Sequence, residues 1–404
     1  MKKLVVIILI VGILGQRNIV FADDELEEDM VWSDNEVQEV EANVPSVLSR
    51  HCICMERTTG LVLFEKDAYT KCAMASTTKI LTGLIIIENC KLNEEVTISK
   101  KAANTGGSTL GISTGQKITV EGLLYGLLLR SGNDTAVALA EHLSGSVEEF
   151  SVLMNERARQ IGLMNSNFVT PHGLDNEEHY TTAYDLAILT NVALKNETFA
   201  RIVETKQISV MIGNHQRSLN NTNELLGNVS GVYGVKTGFT GEAGRCLVTA
   251  CKRNDLDVII VVLGADTKSI RGSDTKKMIN YVFENFKMVD TKKEMEELFS
   301  YFKNNQKIQT LKSLSNVEIE YTPRENYICP IDKNKVGKLR TSIYCLSQLE
   351  APVEGKTIIG KMRLICDTQI LYEIDIYLGK KIDRIDWREY LRIFVKNYIT
   401  FYAI

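Results

Sequence analysis

The sequence predicts an α+β protein: an antiparallel sheet packed with helices, then a small all-β domain and a C-terminal amphipathic helix. Three observations carry this. Strand-like runs stand near residue 50 and return as GVYGVKTG, RCLVTACK and VIIVVLGA, with helical patterns between them, so one region opens and closes with strands. After about Lys287 the pattern changes to short alternating runs such as VEIEYT, KMRLICDT and LYEIDIYL. The final stretch, DWREYLRIFVKNYITFYAI, carries its apolar residues at helical spacing.

The 404 residues are 44% hydrophobic and 24% charged, with a net charge of −4, which suits a large domain plus a smaller one and argues against nucleic acid as a partner. Lys2 and Lys3 precede an apolar run of 12 residues, LVVIILIVGILG, too short to span a membrane easily, and VFA places small residues for cleavage after Ala22. Residues 1–22 therefore read as a signal peptide. Asp23 to Glu41 holds ten acidic residues and no basic ones, so residues 23–46 read as a self-repelling, disordered linker ending near Pro45. Nine cysteines form no regular framework; most lie in or beside apolar runs, and free buried thiols are expected. Cys52 and Cys54 alternate along a strand and so share one face. No Cys/His set has zinc-ligand spacing, so neither a metal site nor any cofactor is expected.

Along the chain, VLSRHCICMERTTGLVLFEK reads as a hairpin turning at RTTG. The apolar helix LTGLIIIENC follows STTK. Residues 100–118 are rich in Gly, Ser and Thr and read as loops. Thr119 caps the helix VEGLLYGLLLR, SGND interrupts, and TAVALAEHL continues. Ser146 with Glu149, and Thr182 with Asp185, are capping pairs for two further helices. The three later strands form a meander, and the helix DTKKMINYVFENF closes the region 47–287. Residues 288–379 form the small β domain. In residues 380–404, Trp387, Tyr390, Leu391, Phe394, Val395, Tyr398 and Tyr402 line one face while Arg388, Arg392 and Lys396 line another; six basic residues outnumber three acidic ones. That pattern suits a helix lying in a membrane surface.

The chemistry centres on AMASTTKI. Ser76 and Lys79 stand one turn apart at the head of an apolar helix. A serine hydroxyl needs a base, and a desolvated lysine with a lowered pKa can be one. The helix N-terminus adds unpaired N–H groups for a developing oxyanion. S-x-x-K alone is a weak signal. RSGND adds Ser131 and Asn133, and VKTGFTG adds Lys236, Thr237 and Gly238, in the order S-x-x-K, S-x-N, K-T-G.

With these motifs, and with FVTPHGLD, HYTTAYDLA and GVKTGFTGEAGRCLV, the chain resembles the low-molecular-mass penicillin-binding proteins, the serine-type D-alanyl-D-alanine carboxypeptidases. The resemblance is strongest over residues 47–285 and implies a β-lactamase/transpeptidase-like catalytic domain. It implies Ser76 as the nucleophile, Lys79 as its base, and Ser131 as a proton relay to the leaving D-alanine. Asn133 would hold the substrate backbone and Lys79; Lys236 with Thr237 and Gly238 would bind the terminal carboxylate and pair with the peptide. The oxyanion hole would be the backbone N–H groups of Ser76 and Phe239. The implied substrate is the peptidoglycan stem peptide, with β-lactams as covalent inhibitors. The implied location is the outer face of a bacterial cytoplasmic membrane, reached through the C-terminal helix.

GISTG around Ser113 imitates a nucleophile elbow, but its flanks are polar loop residues, so Ser113 is rejected. Asp134 and His172 read as structural. Two other functions compete. A class A-like β-lactamase shares the Ser–Lys core, but the middle motif here is SGN and no E-x-x-L-N segment follows it. A non-hydrolytic wall-binding scaffold would not need all three motifs intact.

Overall fold

The computed structural model describes residues 25–31 and 44–402, with side chains from 44 to 395. The expected signal peptide lies outside the described residues. The described residues fall into two compact units that divide between Val289 and Asp290, with Cys329–Asn334 grouped with the first.

The first unit is built on a five-stranded antiparallel sheet. The hairpin at RTTG forms β2 (His51–Glu56) and β3 (Val62–Lys66). The meander forms β4 (Val232–Thr240), β5 (Gly244–Arg253) and β6 (Leu256–Ala265). The spatial order is β3-β2-β6-β5-β4, so the strand bearing Lys236, Thr237 and Gly238 lies at the sheet's edge. Central strands β5 and β6 are buried on both faces, which is why they read as nearly continuous apolar runs.

Side-chain alternation divides the core in two. Ile53, Met55, Val248, Ala250, Ile259 and Val261 pack into the larger cluster with the helices between the hairpin and the meander. Cys52, Cys54, Leu247, Val258, Ile260 and Val262 face the other way, onto Met278, Ile279 and Val282 of the closing helix, Lys268–Asn285. The helices of the larger layer are α1 (Lys79–Asn89), α2 (Val120–Leu128), α3 (Asn133–Ser144), α4 (Val147–Ile161), α5 (Ala183–Ala193) and α6 (Glu197–Glu204). Thr119, Ser146 and Thr182 each cap a helix by accepting a backbone N–H three residues on. Seven of the nine cysteines are buried.

The second unit holds a five-stranded antiparallel sheet made of β1 (Glu25–Val31), β7 (Ile319–Tyr321), β8 (Leu339–Leu346), β9 (Ile358–Cys366) and β10 (Gln369–Leu378), in the order β1-β8-β9-β10-β7. Two departures from the sequence-based expectation occur here. Part of the acidic stretch expected to be a disordered linker forms β1, pairing in register from Glu25↔Leu346 to Val31↔Arg340. The edge of β8 supplies a row of backbone partners, and pairing through the backbone does not depend on side-chain charge. The unit also contains a helix, Lys292–Asn305, where only β structure was expected. Its buried residues, Met295, Leu298, Phe299 and Phe302, fall at i, i+3, i+4 and i+7, so the helical period was present in the sequence.

The C-terminal helix runs from Trp387 to Tyr402. Trp387, Tyr390, Leu391, Phe394 and Val395 are exposed. Among the described residues, no helix is long and apolar enough to cross a membrane.

Candidate active site

The nucleophile candidate does not sit in the α-helix itself. Ala75–Thr78 forms a 3₁₀ turn, and α1 begins at Lys79. At three residues per turn, side chains at i and i+3 eclipse. Ser76 and Lys79 are thus brought into line more closely than an α-helix would bring them, and Lys79 Nζ lies 2.8 Å from Ser76 Oγ. The two threonines of STTK hold the turn: Thr77 Oγ1 donates to Met74 O at 2.6 Å and Thr78 Oγ1 to Ala75 O at 2.8 Å. Ala75 itself has φ of 51°, a left-handed conformation that costs a non-glycine residue roughly 1 kcal/mol or more.

Lys79 is fully buried in the apolar layer. Its amine meets two further acceptors, Asn133 Oδ1 at 2.7 Å and the backbone carbonyl of His172 at 2.8 Å. Burial holds its pKa well below the usual lysine range, with the nearby Lys236 charge acting in the same direction and Asp134 opposing it. Asn133 is fixed from its other side, because Nδ2 donates to Gly106 O at 2.8 Å. Ser131 is buried in the turn between α2 and α3 with φ of 64°.

The K-T-G strand closes the site from the sheet side. A Cβ on Gly238 would lie 3.1 Å from Ala75 Cβ and 3.2 Å from both Met74 O and Ser76 N, so only glycine lets β4 approach this turn without displacement. Lys236 is buried, and its ammonium donates to Thr237 O at 2.9 Å. Burial, reinforced by Arg271, lowers its pKa to about 7. Thr237 Oγ1 shares a 2.7 Å hydrogen bond with Thr222 Oγ1. Arg271 is buried and grips Glu224 through one terminal nitrogen at 2.6 and 2.7 Å, while its Nε has no partner among the described residues. Phe239 is exposed, with the Arg245 guanidinium 3.5 Å above its ring.

Sequence reasoning missed a support behind the turn. Residues 169–181 wrap the back of Ser76–Thr82. Thr82 Oγ1 donates to Pro171 O at 2.7 Å. Gly173, at φ of +83°, packs so closely that a Cβ would fall 1.9 Å from Ala75 O and 2.5 Å from Thr78 Oγ1. His179 is buried, and its Nδ1 accepts the Val169 N–H at 2.9 Å. That fixes the proton of the neutral ring on Nε2, which lies 2.8 Å from Thr78 Oγ1. A chain of hydrogen bonds thus runs from His179 through Thr78 to Ala75 O, next to Ser76. Burial lowers the His179 pKa to about 4, with the Lys79 charge adding to the effect. His172 reads as structural by its side chain, since Nδ1 accepts the Leu174 N–H, but its carbonyl belongs to the site. The fragments FVTPHGLD and HYTTAYDLA were the available signal. Asp134 is accounted for by backbone N–H groups of Leu110 and Gly111 at 2.8 and 2.7 Å. Ser113 is exposed on a loop outside this constellation.

A half-buried serine on a buried lysine, closed by an S-x-N turn and a K-T-G edge strand, meets a family model described as D-alanyl-D-alanine carboxypeptidase over residues 38–267. The chain belongs to the D-alanyl-D-alanine carboxypeptidase family. A second model, the C-terminal domain of penicillin-binding protein 5, matches residues 268–384. The D-alanyl-D-alanine carboxypeptidase DacF of Bacillus subtilis is 34% identical over 334 residues, which cover 80% of this chain and 83% of the relative. Among solved structures, penicillin-binding protein 5 from Haemophilus influenzae superposes with a TM-score of 0.70 at 25% identity, over 84% of this chain and 99% of that one. The Streptomyces K15 DD-transpeptidase gives 0.57 at 36% identity, over 59% of this chain and 98% of that one.

Proposed function

We propose that the chain removes the terminal D-alanine from D-Ala-D-Ala peptidoglycan stem peptides through an acyl-enzyme on Ser76, and that β-lactams acylate the same hydroxyl. The observation that carries this reading is the amine of Lys79 within hydrogen-bond distance of three oxygens, Ser76 Oγ, Asn133 Oδ1 and His172 O. A neutral amine has two N–H bonds and one lone pair. Asn133 Oδ1 and His172 O take the two hydrogens, so the lone pair faces the serine O–H.

Ser76 Oγ then bonds to the scissile carbonyl carbon as its proton passes to Lys79 Nζ. The developing oxyanion is taken by the backbone N–H groups of Ser76 and Phe239. The carbon–nitrogen bond breaks as the leaving D-alanine nitrogen takes a proton delivered through Ser131. Water adds to the acyl carbon, gives a proton to the base, and Ser76 is released. Asn133 hydrogen-bonds the substrate backbone. Lys236, with Thr237 and Gly238, receives the terminal carboxylate, and the edge position of β4 supports pairing of the peptide as an added strand. The Arg271 guanidinium, ion-paired with Glu224, lies near enough to act on Lys236.

Mass spectrometry of muropeptides before and after treatment with the enzyme tests the reaction: loss of one alanine from pentapeptides is expected. Ser76→Ala should abolish both that loss and labelling by a fluorescent penicillin; surviving labelling would remove Ser76 as nucleophile. A long-lived penicillin adduct is expected, and rapid turnover of the antibiotic would instead indicate a β-lactamase.

For location, the reading is export by residues 1–22, a catalytic domain over 47–287, a β domain over 288–379 whose sheet Glu25–Val31 joins as strand β1, and attachment to the outer membrane face through residues 380–404. The five exposed apolar side chains between Trp387 and Val395 support surface attachment. The chain truncated after Gly379 should no longer sediment with anionic phospholipid vesicles. Unchanged sedimentation would sink the anchor.

A further inference from the structure

At the end of α1 opposite the catalytic lysine, three side chains of metal-ligating type converge. Cys90 follows the last residue of α1, Glu94 lies in the turn after it, and His142 is in the last turn of α3. Cys90 Sγ, a Glu94 carboxylate oxygen and a His142 ring nitrogen all lie within 4.8 Å of one another. This is the only such group of three among the described residues. The sequence spacing concealed it, because 48 residues separate Glu94 from His142 and α3 alone brings them together.

We propose that Cys90, Glu94 and His142 form a binding site for a zinc-type divalent cation, distinct from the catalytic centre. The donor set is one sulfur, one nitrogen and one oxygen, which suits zinc and not the hard cations calcium or magnesium. Tetrahedral zinc sets neighbouring ligand atoms about 3.3–3.7 Å apart. His142 Nε2 and Glu94 Oε2 already stand 3.3 Å apart, and the sulfur needs to move by about 1 Å at most. The Glu94 carboxylate is already oriented for a cation: its other oxygen, Oε1, accepts the Lys91 backbone N–H at 3.2 Å, leaving Oε2 turned to the histidine. Cys90 and Glu94 are partly buried and His142 is exposed, so an ion can reach the site and water can fill the fourth position.

The position gives the site a consequence. α1 and α3 are the helices whose first residues, Lys79 and Asn133, are joined by the 2.7 Å hydrogen bond of the active site. A cation on Cys90 and His142 would tie the same two helices together at their far ends.

Cobalt(II) is the probe, added to the reduced, chelator-treated full chain carrying no histidine tag. A thiolate-to-cobalt charge-transfer band should rise to saturation at about one equivalent and be displaced by zinc. Cys90→Ser should abolish the band, and His142→Ala should weaken binding at least about tenfold. No band, or a band that survives Cys90→Ser, overturns the site. Alkylation gives a second readout that does not rely on spectra. Zinc should slow iodoacetamide modification of Cys90 at least about tenfold in the wild-type chain and leave Cys72, the other partly exposed thiol, unaffected. Equal rates with and without zinc, or protection that persists in His142→Ala, would overturn it equally.

Discussion

Gly173→Ala tests the support behind Ser76. At φ of +83° a side chain costs about 1–2 kcal/mol before any contact is counted. The added Cβ would stand 1.9 Å from Ala75 O and 2.5 Å from Thr78 Oγ1. Restoring an ordinary 3 Å contact moves the 3₁₀ turn or the 173 loop by about 1 Å, and misplacement on that scale costs on the order of 100-fold in rate. The Thr78–Ala75 hydrogen bond must also open. Acylation by fluorescent penicillin, followed as a second-order rate constant, should therefore fall about 100-fold. Gly241→Ala is the control, because its Cβ would meet nothing within 4 Å. If Gly173→Ala acylates within twofold of wild type while Gly241→Ala does the same, the loop does not position Ser76 and the reasoning fails.

Lys79→Arg keeps a positive charge that cannot be given up, so acylation should drop by about 10² to 10⁴-fold; near-normal labelling would exclude Lys79 as base. Lys236 is about half deprotonated near pH 7 in the free enzyme, so affinity for the substrate carboxylate should weaken as pH rises above 7. The pH dependence of KM reads this, and a KM flat from pH 6 to 9 would refute it. His179 stays neutral in the fold with a pKa of about 4, below the roughly 6.5 of an unfolded histidine. Its contribution is complete above about pH 6.5 and is lost as pH falls toward 4, by about 3 kcal/mol in all. His179→Ala should flatten that part of the stability–pH curve in urea unfolding, and an unchanged slope would count against the assignment.

Side-chain periodicity was sufficient to read the hairpin, the meander, the capped helices and the β-rich unit, because each depends on neighbours within one or two turns. The helix at 292–305 had the same kind of signal in Met295, Leu298, Phe299 and Phe302, but it stands beside alternating runs that drew the whole segment toward β structure. The strand β1 could not be read at all. Its acidic side chains resemble a solvated linker, and its order comes from the backbone edge of β8.

For the site, the sequence alone determined which side chains are the candidates. Ser76, Lys79, Ser131, Asn133 and the K-T-G strand are side-chain identities in a fixed order, and that order suffices to name a serine–lysine mechanism. Tertiary structure decided how the amine proposed as the base is held. The third acceptor at its amine is the carbonyl of His172, and a carbonyl is present at every residue, so no composition can single it out. The close approach of Gly173 and the proton on His179 Nε2 likewise arise from a loop some 90 residues away folding against the turn. The gathering of Cys90, Glu94 and His142 has the same origin. Helices lying side by side bring together residues that their spacing in the chain keeps far apart.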